Sequence, residues 1–144
     1  MAQAREVMDR LTAAVFTTRD LKAAAECYAD DAVAVTPDQG EITGSEQISE
    51  YMRQFVDAFP DLHYEYLQKH DSGNVAIDEG VVIGTNTGPL PLPSGETLPA
   101  TGKQIRIRGC DVVTVDGGLV TNHRFYFDQI EFLAQLDLLP ELPT

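Results

Sequence analysis

The chain has 144 residues, of which 43% are hydrophobic, 8% aromatic and 23% charged, the proportions of an ordinary globular protein, and this length fits one domain over 1–144 with a sizeable core. Ten Lys and Arg stand against 23 Asp and Glu, and the resulting formal charge of -13 repels phosphate backbones and anionic lipid, so neither nucleic acid nor a membrane is an expected partner. Cys27 and Cys110 form no CxxC pair and stand in no His/Cys cluster, so neither a disulfide scaffold nor a structural zinc site is indicated, and no metal is expected.

Arg5, Glu6, Asp9 and Arg10 interrupt the N-terminus where a secretory signal needs an apolar run, and a cytoplasmic location is the expectation. Val7, Leu11, Ala14 and Val15 then recur at helical spacing. Asp20 precedes a second helical stretch through Leu21, Ala24, Ala25 and Tyr28. The short β-branched run 32–36 predicts a strand, stopped by the turn-formers Pro37, Asp38, Gln39 and Gly40. A third helix starts at Ser45, carries Ile48, Tyr51, Met52, Phe55, Val56 and Phe59 on one stripe, and ends where Pro60 disfavours helical geometry in the residue before it.

From Leu62 the period changes from about 3.6 to 2, and four strands are predicted over 62–70, 75–87, 104–115 and 119–128. Turn signals lie at 71–74 and 116–118, and the segment 88–102, with Pro89, Pro91, Pro93 and Pro99, reads as a loop able to cover a pocket or meet a second subunit. Ile130, Leu133 and Ala134 predict a short closing helix with Asp128 as its N-cap. Helices first and a meandering sheet second define an α+β fold. Helices that only partly fill the concave side of such a sheet leave a pocket there.

Strand parity then selects acids. Glu79 shares a face with Val75, Ile77, Val81 and Ile83, while Asp78 points the other way beside small residues; Asp111 shares a face with Ile105, Ile107, Val113 and Val115. Acids on apolar faces carry shifted pKa values and gather at catalytic sites, although a structural ion pair of Glu79 with Arg106 or Arg108 is the plainer reading. In the run from Leu119 parity does not choose the inner face, and it sets His123 and Asp128 on opposite sides unless a bulge intervenes. A satisfied core histidine and a helix cap are the plainer readings of those two residues. Tyr64, Tyr66 and Tyr126 are candidates for ligand contact, although core packing is the plainer reading.

An ordered set of motifs runs through the chain: Gly84-Thr85-Asn86-Thr87-Gly88-Pro89, Pro99-Ala100-Thr101-Gly102-Lys103, Asp116-Gly117-Gly118, and His123 to Asp128 followed by Leu133-Ala134-Gln135-Leu136. In this order they resemble the SnoaL-like polyketide cyclase or ester cyclase family. The resemblance implies the cystatin-like α+β cone of the nuclear transport factor 2-like superfamily, a curved mixed or antiparallel sheet wrapped around three N-terminal helices with a short C-terminal helix. It also implies a pocket for a hydrophobic small molecule, no cofactor, and a homodimer paired through the outer sheet face. In the family's cyclases an aldol closure is driven by acid/base chemistry, and the resemblance puts Asp128 at the acid/base position. His123 is then its partner and Asp111 an orienter or second acid.

Enolate stabilisation needs donors, and His123, Asn86 and Tyr126 have suitable groups; Tyr64, Tyr66 and Glu79 complete the expected substrate contacts. Where the family often has an imidazole this chain has Asn86, which orients but does not titrate. Two other functions fit the fold. An epoxide hydrolase needs two carboxylates and an arginine, for which Asp111, Asp128 and Arg106 or Arg108 have the residue types, although parity sets the arginines opposite Asp111. A noncatalytic binding or dimerisation module would hold its acids in structural pairs.

Overall fold

Val7, Met8 and Leu11 bury one stripe of α1 (Gln3–Thr12) in the computed structural model, which describes residues 3–92 and 94–139. The helix runs on into a single π-helical turn, Ala13–Thr17, closed by Thr18 N–H donating to the Ala13 carbonyl. Asp20 caps α2 (Leu21–Glu26) by accepting from the Ala23 amide, as its position in the sequence predicts. Helix α2 is short because Tyr28, expected on its apolar stripe, already belongs to β1 (Tyr28–Thr36). Gly40, at φ 71, turns the chain into β2 (Gly40–Thr43), a strand the turn signal concealed. Helix α3 (Ser45–Ala58) buries Ile48, Tyr51, Met52 and Val56, the predicted stripe.

The second half holds β3 (His63–Ser72), β4 (Val75–Thr85), β7 (Gln104–Asp116), β8 (Leu119–Phe127) and the closing helix α4 (Gln129–Gln135). Gly117 and Gly118 both have positive φ, which lets β7 and β8 join through a two-residue turn matching the sheet's twist. Within the expected loop 88–102 a minute hairpin forms from β5 (Leu90–Pro91) and β6 (Thr97–Leu98).

The six-stranded sheet is open and curved, with order β2-β1-β8-β7-β4-β3. All neighbours are antiparallel except β1 and β8, which run parallel with Ala34 opposite His123. Ala32 and Ala34 of β1, Ile105, Ile107, Val113 and Val115 of β7, and Val120 of β8 are buried together with the apolar stripes of α1 and α3. Each fully buried aliphatic side chain of this size contributes about 1.5–3 kcal/mol. Aromatic rings continue the layer, with Phe55 edge-on to Tyr51, Phe127 and Phe132.

Two of the family-like motifs are fasteners. Asn86 is fully buried and saturates its amide: Nδ2 donates to the carbonyls of Ala58 and Gly88 at 3.1 and 2.9 Å, and Oδ1 accepts from Thr101 N and Oγ1 at 2.8 and 2.9 Å. It thereby ties the end of α3 to both ends of the proline-rich segment. Gly88 passes so close to the Asp57 carbonyl that a Cβ would overlap it. Gln135 fixes α4 to β7, accepting from Arg106 N at 2.6 Å and donating to Arg106 O at 3.0 Å.

Candidate active site

The concave face of the sheet, closed over by α1, α3 and α4, leaves a cavity of about 130 Å3. Its walls are apolar, from Leu11, Val15, Phe16, Met52, Phe55, Val82, Ile105, Ile107, Phe125 and Phe127; its polar side chains are Thr12, Tyr51, Tyr64, Asp78, Asp111, His123 and, at its border, Tyr126.

Inward parity of β7 and β8 brings Asp111 and His123 together. His123 Nε2 lies 3.0 Å from Asp111 Oδ1, and Nδ1 lies 2.6 Å from the Tyr28 hydroxyl of β1. Tyr28 is buried, and burial, with Asp111 adding to it, pushes its phenol well above the ordinary range, so the hydroxyl keeps its proton and donates. Nδ1 is then the acceptor and Nε2–H the donor to Asp111. His123 is further clamped by Phe125, stacked at 3.7 Å between ring centroids. Both nitrogens of His123 are engaged and only 4% of its surface is exposed, which leaves Asp111 the more accessible of the pair. Among the described residues no second hydrogen bond reaches the Asp111 carboxylate, which is about a quarter exposed to the cavity side.

Directly across from Asp111 in the β4–β7 register stands Asp78, 1% exposed. Arg5 of α1 donates to Asp78 Oδ1 at 2.5 Å and to Asp9 Oδ1 at 2.9 Å. Burial raises the Asp78 carboxyl, the Arg5 contact opposes that, and Asp111 adds to it. Tyr64 of β3 lies over Gly80, where any Cβ would overlap its ring. Burial, then the proximity of Asp111, pushes the Tyr64 phenol upward.

Of the residues expected at the site, the structure brings Asp111, His123 and Tyr64 together. Tyr126 borders the cavity but is 54% exposed, alternating with inward Phe125 and Phe127. Tyr66 lies outside the lining, packed edge-on against Tyr64 with Lys69 Nζ over its ring. Asn86 is spent on the backbone. Glu79 is a correction: its face of β4 is the outer one, its side chain is half-exposed, and its neighbour is His70 at 3.4 Å, not Arg106 or Arg108. Val81 and Ile83 made that face look internal, but they lie in the rows of Glu65 and Arg108 and of His63 and Arg106, and the Arg106–Glu65 pair crosses over them.

Asp128 is exposed and outside the lining, where its Oδ1 accepts from Glu131 N at 3.1 Å as the N-cap of α4. Strand β8 ends at Phe127, and no bulge turns Asp128 back toward His123. Sequence reasoning missed Asp78, Arg5 and Tyr28. The small residues Ala76, Gly80 and Gly84 beside Asp78 were the available signal, since glycine within a strand marks close approach of another group.

A curved open sheet with helices across its concave face, and acids inside the resulting cavity, defines an α+β cone of the nuclear transport factor 2-like type. The family model described as the SnoaL-like domain matches residues 8–123, and the chain belongs to that family. A crystal structure of a candidate SnoaL-like polyketide cyclase from Jannaschia sp. superposes with a TM-score of 0.83 at 18% identity, over 96% of this chain and 94% of that one. IdmH from Streptomyces antibioticus, described as a candidate polyketide cyclase, gives 0.75 at 22%, over 94% and 99%. TerC, co-crystallised with polyporic acid, gives 0.73 at 15%, over 94% and 98%. No curated protein matches the chain. Among the described residues no helix is long and apolar enough to cross a membrane, and no group of three His, Cys, Asp or Glu side chains is arranged to hold a metal.

Proposed function

We propose that this protein is an acid/base enzyme acting on a hydrophobic carbonyl compound, with chemistry of the polyketide-cyclase kind and Asp111 as its base. One observation carries the reading: a carboxylate faces an apolar cavity with one oxygen fixed by His123, itself fixed by Tyr28. The other oxygen is available to take a proton from the carbon beside a carbonyl. An enolate so formed attacks a second carbonyl of the same molecule, and Asp111 returns the proton to the new alkoxide, so the protein ends as it began. These steps use this chain's residues alone. That structures of similar fold include a candidate cyclase and a complex with polyporic acid supports the pocket's use for small organic molecules.

The epoxide-opening alternative loses its expected arginines, because Arg106 pairs with Glu65 and both Arg106 and Arg108 are exposed. The arginine beside the acids is Arg5, whose donors are committed to Asp78, Asp9 and the His70 carbonyl.

Proton abstraction is read directly as deuterium incorporation. A panel of aryl ketones incubated in D2O and followed by NMR should exchange beside the carbonyl with the wild-type protein. Asp111→Asn, whose side-chain oxygen still accepts from His123, should slow this by about 100-fold or more. Asp128→Asn should leave the rate near wild type. Equal rates for wild type and Asp111→Asn would sink the proposal, and absence of exchange across the panel would favour the noncatalytic module.

A further inference from the structure

Two carboxylates on the inner face, Asp78 and Asp111, stand opposite each other in the β4–β7 register and line the same cavity. Residues so paired bring their Cβ atoms to about 4.5–5.5 Å. Like charges at that range in a poorly hydrated wall favour holding one proton between them. A proton held there would block the group that has to receive one. The two acids have different partners: Asp111 Oδ1 has His123 at 3.0 Å and Asp78 Oδ1 has Arg5 Nη2 at 2.5 Å, while Asp78 Oδ2 is buried with no hydrogen bond. Arg5 reaches Asp78 from α1 with 14% of its side chain exposed, and is steadied by Asp9 at 2.9 Å. From β3, Lys69 stands opposite Asp78 in register, but its ammonium goes to Asp9 at 3.2 Å and lies over the Tyr66 ring; Tyr64 keeps its phenolic proton. Among the described residues, Arg5 is thus the one permanently charged group paired with either acid.

We propose that Arg5 is a positioning residue for the base: by holding Asp78 as a carboxylate tied to α1, it keeps Asp78 and Asp111 from sharing a proton and leaves Asp111 open to take one from the substrate. The inference rests on Asp111 as the base, and it adds that this base is governed by a side chain outside the cavity lining. Charge balance is the reason. Arg5 and Asp78 cancel, so the wall between β4 and β7 carries one uncompensated negative charge, on Asp111, instead of two. Burial raises the Asp78 carboxyl, and Asp111 and Asp9 add to that; the Arg5 hydrogen bond and charge are the opposing influences. Without the guanidinium only the raising influences remain, and Asp78 keeps a proton opposite the base. Without both the guanidinium and the Asp78 carboxylate, Asp111 stands alone with His123 and is open again.

The test crosses Arg5→Met with Asp78→Val in the full chain. Two quantities are read at neutral pH in D2O: deuterium exchange of the aryl ketones, and the infrared carbonyl stretch of protonated carboxyl groups, which is separate from that of carboxylates. Arg5→Met should exchange at least about tenfold more slowly than wild type, recover as rising pH strips the shared proton, and show a protonated-carboxyl band that wild type lacks. The double variant, in which apolar groups replace both members of a buried ion pair, should lose the band and return close to the wild-type rate. A merely structural role for Arg5 would leave the double variant as slow as the single one. Arg5→Gln, which keeps donors without the charge, replaces Arg5→Met should that variant not fold. A wild-type rate in the single variant, no band in it, or a double variant that is folded and equally slow would overturn the proposal. If wild type itself shows no exchange, the base reading falls, and the band alone decides whether Arg5 keeps the two acids free of a shared proton.

Discussion

Asp78 is held on one oxygen and bare on the other, and its titration should be visible in stability. Burial disfavours its charged form more than Arg5 restores it, so the folded-state pKa lies above the unfolded value of 3.8. In that window the folded chain binds the proton more tightly, so the group's contribution is fully present below pH 3.8 and is lost as pH rises through the folded pKa. Urea unfolding of wild type and Asp78→Asn at pH 4 and pH 7 isolates the effect. The wild-type stability minus that of the variant should fall between the two conditions, and an unchanged or rising difference would contradict the assignment. Parity in the sequence chose Glu79 over this residue because the outer face of β4 is the more hydrophobic one. The inner face is built of Ala76, Gly80 and Gly84 to make room for a helix and a tyrosine ring, so its apolar character comes from neighbours that a single strand does not display. Asp111 was legible because β7 carries its large aliphatic residues on the same face as the acid.

At the scale of elements, the segment between β4 and β7 hangs on one side chain. Asn86→Ala removes four hydrogen bonds and leaves the Ala58 and Gly88 carbonyls without that donor, and the expected cost is about 2–4 kcal/mol in urea unfolding. A loss below about 0.5 kcal/mol would mean that the segment is held by other contacts. The sequence signal at this point was strong and its meaning was structural: Asn86 and Thr101 are conspicuous because they bond one another, and Gln135 because it completes an edge of β7. Helices α3 and α4 were readable from stripe and cap. The β2 strand and the β5–β6 hairpin were not, since two to four residues among turn-formers give no periodicity. The expected helical Tyr28 went instead to β1, where the short α2 ends two residues before it and hydrogen bonding to His123 outweighs local propensity.

For the whole molecule, helices followed by strands at period 2 were enough to predict an α+β fold, because that order restricts how the layers stack, while the cone itself was implied by the family resemblance. Which residues meet inside the cone depended on β8 pairing with β1 as well as with β7, a long-range choice that no local pattern encodes. That parallel seam also has a kinetic consequence. Tyr28 and His123 are 95 residues apart, and the contact between them closes a loop as long as most of the domain. The hairpins β3–β4 and β7–β8 can close through two-residue turns, the second bringing Asp111 beside His123, while the tyrosine that fixes the imidazole arrives only when β1 docks. Stopped-flow refolding followed by tyrosine emission, convenient in a chain of five tyrosines and no tryptophan, should therefore show the Tyr28 signal, assigned by comparison with Tyr28→Phe, in the slowest phase. If that signal instead appears with the earliest phase, β1 pairs before the meander. Otherwise a half-folded chain holds Asp111 beside His123 without the tyrosine, and the cluster is completed in the closing step rather than assembled along the way.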